Sequence, residues 1–247
     1  MDAQQQARTF FVEGVAHYEA GRLPEAERSF AAALSLAPGR PSVLTNLGAV
    51  RLKLGRPAEA AGLLQEALAQ EPDNLEALGH GASALAECGE LREALPLFDR
   101  ALAIDPRRAS LWMLRGSALR ELGLNAEAAE SFRRAIAEGG DAELNRYYLA
   151  SVEGQAAPPA APRAYVEALF DSYADQFGEH VVATLHYDAP AQLVARLPKP
   201  PAGFTHALDL GCGTGLAAPA LRALADSVTG LDPVSYTHLT LPTIYSV

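Results

Sequence analysis

A strict 34-residue period runs through residues 7–142 and constrains this chain more than any other feature. One column of the period holds Gly14, Gly48, Ala82 and Gly116, and a second holds Gly21, Gly55, Gly89 and Gly123. Next come Ala26, Ala60, Ala94 and Ala128, then Phe30, Leu64, Phe98 and Phe132, then Ala33, Ala67, Ala101 and Ala135. The last column is Pro38, Pro72 and Pro106, with Gly140 breaking the pattern. Each column has a physical reason. The first small residue lies inside a helix that a neighbour must approach closely. The second glycine ends that helix, because the left-handed C′ position suits glycine best. The two alanines and the large apolar residue between them share one face of a second helix. Proline then stops that helix and opens the link to the next unit.

These columns resemble the tetratricopeptide (TPR) pattern over four whole repeats, 7–40, 41–74, 75–108 and 109–142. Trp112 stands in the early aromatic position of the fourth. The resemblance implies an α-solenoid of helix-turn-helix repeats, with a protein or peptide partner held in a groove lined by the first helix of each repeat. That helix offers Arg8, Phe11, Val15 and Tyr18, then Ser42, Thr45, Ala49 and Leu52. Repeats three and four add Glu76, Gly79, Ser83 and Ala86, then Ser110, Met113, Ser117 and Arg120. The lining is small and neutral, without the Lys/Asn/Arg cluster with which some TPR proteins clamp a terminal carboxylate. A further helix starts near Glu143, with Leu144, Tyr147, Tyr148 and Leu149 on its apolar side. It is read as a capping helix over 143–153 that closes the array of residues 1–153, since solenoids need a covered end. Trp112, Tyr147, Tyr148 and Cys88 are read as core or groove residues.

Charge and cysteine content narrow the function classes. The formal charge of −10 leaves no electrostatic footprint for nucleic acid or an anionic membrane. Residues 1–153 carry 16 basic and 22 acidic side chains and residues 154–247 carry 4 and 8, so no basic half is hidden by averaging. Cys88 and Cys212 are far apart, with no metal-like spacing. The chain begins without a secretory pattern and contains no apolar run of about 20 residues. The expectation is a cytoplasmic protein.

Residues 154–163 are rich in proline and alanine and read as a semi-rigid linker. Beyond it, Val166, Leu169, Phe170, Tyr173 and Phe177 form a stripe at helical spacing, and a second helix is expected over about 189–197. Thr205 to Gly215 begins as an apolar strand and ends in a glycine turn. Leu216 to Ala225 reads as a helix with Pro219 near its start, and Ser227 to Asp232 as a second strand ending in an acid. Strand, glycine turn, helix, strand and acid make up the cofactor-binding half of a Rossmann-like unit. Asp232 lies 21 residues after Gly211, where a carboxylate meets a ribose. The glycines at 211, 213 and 215, with Leu216 following, do not match the dinucleotide spacing and disfavour NAD.

Leu208-Asp-Leu-Gly-Cys-Gly-Thr-Gly215 resembles motif I of class I S-adenosylmethionine (SAM) methyltransferases, and 164–233 resembles the start of that domain in bacterial TPR-fused methyltransferases. By this resemblance Gly211, Cys212, Gly213, Thr214 and Gly215 form the loop beside the methionyl part of SAM. Asp209 orients the loop and the cofactor's amino group, Asp232 takes the ribose, and Tyr173 with Phe177 belongs to a lid helix. His180, His186 and His206 have no metal or triad spacing. The implied fold is a TPR solenoid followed by a partial α/β Rossmann-like methyltransferase domain. The implied function is methyl transfer from SAM to an unknown acceptor, the catalytic residues remaining unknown. The alternative is a TPR adaptor that binds a partner protein without catalysis.

Residues 234–247 lack alanine, glycine and all charged residues, and resemble the in-frame translation of a transposase adapter. They are expected to be an artefactual tail. Two parallel strands cannot cover both faces of a sheet, so the chain as written is expected to bind SAM weakly or not at all and to have no turnover.

Overall fold

The computed structural model describes residues 2–155, 161–163, 165–166, 188–197, 203–210, 212, 215 and 217–231. The chain divides into two compact units, Met1–Ala160 and Ala161–Val247.

The first unit follows the period closely. Four helix pairs come in order: α1 (Ala3–Glu19) with α2 (Leu23–Leu36), α3 (Pro41–Lys53) with α4 (Pro57–Gln70), α5 (Leu75–Glu87) with α6 (Leu91–Ile104), and α7 (Ala109–Glu121) with α8 (Asn125–Ala137). A ninth helix, α9 (Ala142–Val152), follows. Gly21, Gly55, Gly89 and Gly123 stand two residues past the end of the first helix of each pair, just after its C-cap residue, with φ of 72, 71, 81 and 74°. That left-handed conformation is the one the column predicts. Helix starts are marked in two ways. Proline sits at N1 or N2 of α2, α3 and α4, whereas Asn74 and Asp141 cap α5 and α9 by accepting from the amides of Ala77 and Leu144 at 3.0 and 2.9 Å.

The core is the set of columns. Phe30, Leu64, Phe98 and Phe132 are fully buried, as are the alanines on either side of them. Each large side chain presses on the helix before it, where the first column supplies the room: a Cβ built on Gly14 would lie 2.7 Å from the Phe30 ring, and one on Gly48 2.7 Å from Leu64. Tyr148 of α9 stacks on Phe132 with ring centroids 5.3 Å apart, and Arg120 lies over the Tyr148 ring at 4.7 Å. Asn145 is 1 % exposed at a position where repeats two to four carry Val43, Ala77 and Leu111 and the first carries Thr9. Its amide nitrogen donates to the Asp141 carbonyl at 2.7 Å, while Oδ1 finds no partner.

Polar contacts tie each repeat to the next. Gln70 donates to the Gly39 carbonyl at 2.7 Å, and Arg100 reaches the carbonyl of Pro72. Arg115 bridges Asp99 and Ser131, both at 2.7 Å. Between repeats one and two, Glu27 of α2 receives Arg51 of α3 at 3.2 Å and also Arg56. Burial alone would push the Glu27 carboxyl up, but the hydrogen bonds and charges of Arg56 and Arg51 outweigh it and hold the pKa below the ordinary value. A depressed folded-state pKa gives stability that is present above the unfolded value and lost as pH falls through the folded one. Glu27→Gln is therefore expected to flatten the decline of thermal stability below about pH 5. Circular-dichroism melts across that range check this, and equal slopes for the two proteins would refute it.

In the second unit the described residues form α10 (Ala189–Ala195), β1 (Ala207–Leu210), α11 (Ala218–Arg222) and β2 (Val228–Leu231). The strands are parallel, with Ala207 opposite Val228 and Asp209 opposite Gly230. The expected Rossmann-like domain is corrected here: the described residues give one β–α–β step with two four-residue strands. The expected helix from Leu216 shrinks to five residues with Pro219 at its start, where the missing amide costs nothing. Leu208, Leu210 and Leu231 are 53, 72 and 45 % exposed, unlike parallel strands in a doubly covered sheet. His206 Nδ1 meets Ser227 Oγ at 2.8 Å, and that hydroxyl donates to the Thr205 carbonyl at 3.0 Å, which pins the two strands at their starts.

Candidate functional site

Two places could hold a site: the glycine turn after β1 and the face of the array built by the first helices of the repeats. At the turn, Asp209 lies on β1 half exposed. Gly215 has φ of 79°, in keeping with a glycine-requiring bend. The described amides of the turn are already engaged, however. Cys212 N–H donates to the Leu231 carbonyl at 3.3 Å and Gly215 N–H to the Cys212 carbonyl at 2.8 Å. A turn that cradles a cofactor leaves amides free to point at it, and these two point at backbone carbonyls instead. Gly211, Gly213, Thr214, Asp232 and Tyr173 lie outside the described residues, as do Phe177, His180, His186 and 234–247.

The array face is built differently. Successive first helices pack on one another, α1 on α3, α3 on α5, α5 on α7 and α7 on α9, and no comparable packing joins the second helices. The first helices therefore form the crowded inner side of the curve, which is the concave face. Phe11, Val15, Tyr18, Leu52 and Met113 are half-buried there, and Ala49 and Gly79 are buried. Gly79 matters sterically, since its Cβ would come within 3.2 Å of Leu111. The Ser83 hydroxyl donates to the Gly79 carbonyl at 3.0 Å, whereas the Thr45 hydroxyl, 7 % exposed, has no partner among the described residues. Cations on this face lie over aromatic rings: Lys53 Nζ is 4.9 Å from the Tyr18 centroid and Arg120 is 4.7 Å from that of Tyr148.

Sequence reasoning missed His80 and Glu87 on the same helix. Burial pushes the His80 imidazole below its ordinary value, with Lys53 and Arg108 adding to the effect and Glu76 opposing it. Burial also pushes the Glu87 carboxyl up. The missed signal was spacing, for His80 lies one turn from Glu76 and Glu87 one turn from Ser83.

Models described as tetratricopeptide repeat match residues 17–79 and 51–118, and a second such model matches 109–137. Residues 17–137 are tetratricopeptide repeats. No curated protein matches the chain. Among solved structures, a crystal structure of MamA aligns with a TM-score of 0.56 at 19 % identity, covering 61 % of this chain and 84 % of that one. A MamA fragment (41-end) from Desulfovibrio magneticus RS-1 gives 0.55 at 19 %, covering 60 % and 84 %. MamA AMB-1 gives 0.55 at 23 %, covering 59 % and 86 %. At these identities the likeness establishes the fold. The expected methyltransferase function is overturned: family models and structural neighbours fall to the TPR array and none to a methyltransferase. No helix among the described residues is long and apolar enough to cross a membrane.

Proposed function

We propose that this chain is a TPR adaptor whose concave face binds a segment of a partner protein. The observation that supports this reading is the row of half-buried apolar side chains, Phe11, Val15, Tyr18, Leu52 and Met113, running along the packed first helices over a floor of small residues. Such a surface offers apolar contact along a channel with few steric obstacles, which suits an extended or helical peptide. Ser83 and Ser117 are half-buried on that face. Filling it there leaves the core columns untouched.

Peptides selected by display on the full chain are therefore expected to bind the Ser83→Tyr, Ser117→Tyr double variant at least about tenfold more weakly. Fluorescence anisotropy measures this, with Glu66→Gln on α4 as the control. Equal affinity for the filled variant would defeat the adaptor reading.

A further inference from the structure

We infer that the cavity at the N-terminal ends of α1 and α3 receives a carboxylate of an acidic peptide segment, with a neighbouring apolar side chain of that segment against its floor. This deepens the adaptor reading and rests on it. The cavity has a volume of about 670 Å³ and is lined by Arg8 and Phe11 of α1, Arg40 of the link, and Ser42 and Val43 of α3. That volume lies within the range of about 300–1,000 Å³ typical of ligand pockets, so it admits one or two side chains rather than a folded surface.

The charge pattern names the occupant. Most arginines of the array have a carboxylate in reach: Arg51 on Glu27 at 3.2 Å, Arg108 on Glu76 at 2.6 Å and Arg115 on Asp99 at 2.7 Å are examples. Arg8 and Arg40 have none, and their guanidinium groups make no hydrogen bond among the described residues. In a chain of net charge −10, carboxylates are plentiful, yet two unmatched guanidinium groups share one cavity. Asp2 also lines it and pairs with neither, which leaves the lining with one net positive charge. A planar guanidinium matches a carboxylate through two parallel N–H···O bonds. Gln4, Gln5 and Ser42 make the rest of the lining partly polar, and the apolar part of the wall is half-buried Phe11 and Ala37, with Val43 and Ala7 buried behind them. A bare inorganic anion would leave that wall in water, whereas a glutamate or aspartate beside a leucine or phenylalanine uses both parts.

The test uses the full chain and a short fluorescein-labelled peptide of alternating glutamate and leucine, with a glutamine–leucine version as reference. The glutamate peptide is expected to bind at least about tenfold more tightly than the reference, and Arg8→Gln with Arg40→Gln is expected to remove that preference. Arg8→Lys with Arg40→Lys keeps part of it, because charge survives without the fork. Arg92→Gln with Arg146→Gln changes net charge equally outside the cavity and is expected to leave the preference intact. Unchanged melting curves show that each variant folds. The inference is overturned if the two peptides bind alike, or if the control pair lowers the preference as much as the cavity pair. If the preference is missing but groove filling at Ser83 still weakens selected peptides, the adaptor reading stands alone. If the arginines matter and groove filling does not, the cavity stands and the peptide does not extend along the groove to Ser83 and Ser117.

Discussion

Phe98→Ala is expected to lower the unfolding free energy of the array by about 3–5 kcal/mol. Phe98 is fully buried in α6 among Ala82, Ala94 and Ala118, with Leu91, Leu95 and Leu111 packed around them. Ala118 belongs to the next repeat, so the ring serves the interface between repeats three and four as well as its own helix pair. Removing it loses the transfer free energy of the ring and leaves a void. Alanine neighbours have no side chain long enough to collapse into that void. In a solenoid, stability is a sum of repeat terms and nearest-neighbour terms. A loss at an inner interface therefore uncouples the two halves as well as weakening the whole. Urea unfolding followed by circular dichroism is expected to show a lower midpoint and a transition that broadens or divides. The result carries weight because small domains have about 5–15 kcal/mol in total. A loss below about 1 kcal/mol, the size of a tolerated surface change, would show that the aromatic column is not the core of this array.

The array was legible because every repeat solves one packing problem with the same residues. Gly21, Gly55, Gly89 and Gly123 announced a left-handed turn four times, and each lies there with positive φ. Phe30, Leu64, Phe98 and Phe132 announced a core column, and each is fully buried. Contacts between columns were not legible. Glu27 meets Arg51 and Arg56 across 24 and 29 residues, and nothing in the period singles those charges out. Arg40 escaped notice for the same reason: it stands in a link, outside the groove positions, and only folding brings it beside Arg8.

The second unit shows where local pattern misleads. Leu208 to Gly215 reads as a strand and a glycine turn, and a strand with a turn is what forms. A cofactor domain needs more than that local step. A covered sheet depends on partners distant in sequence, which no local pattern shows. Here Leu208 and Leu210 face outward, and the amides of Cys212 and Gly215 are spent on backbone carbonyls. The alanine-rich run forms a helix of only five residues, with Pro219 at its start. The groove was legible as a face but not as an environment. Ser83 and Glu76 could be assigned to it by spacing, whereas the lowered pKa of His80 arises from burial that only packing supplies.

Gly116→Val sets two effects against each other, and the structure decides the sign. Glycine inside a helix costs about 0.5–1 kcal/mol relative to alanine, so propensity alone favours adding a side chain to α7. Space forbids it. A Cβ on Gly116 would lie 2.7, 2.9 and 3.0 Å from three atoms of the Phe132 ring. That ring cannot retreat, because it is fully buried and Tyr148 stacks on its other side. The added methyl groups must therefore push α7 and α8 apart, and overpacking of this kind costs about 1–3 kcal/mol. Because α9 closes the array through the same Phe132–Tyr148 pair, the strain passes to the cap. Gly116→Val is expected to destabilise the array by about 2–3 kcal/mol and to speed amide exchange in α9 before that in α1. Gly116→Ala is expected to fall in the same direction but by less, since Ala82 occupies the equivalent place opposite Phe98. Hydrogen-exchange mass spectrometry with urea unfolding tests both points. A variant more stable than the parent would mean that propensity wins and that the first column is not set by close approach.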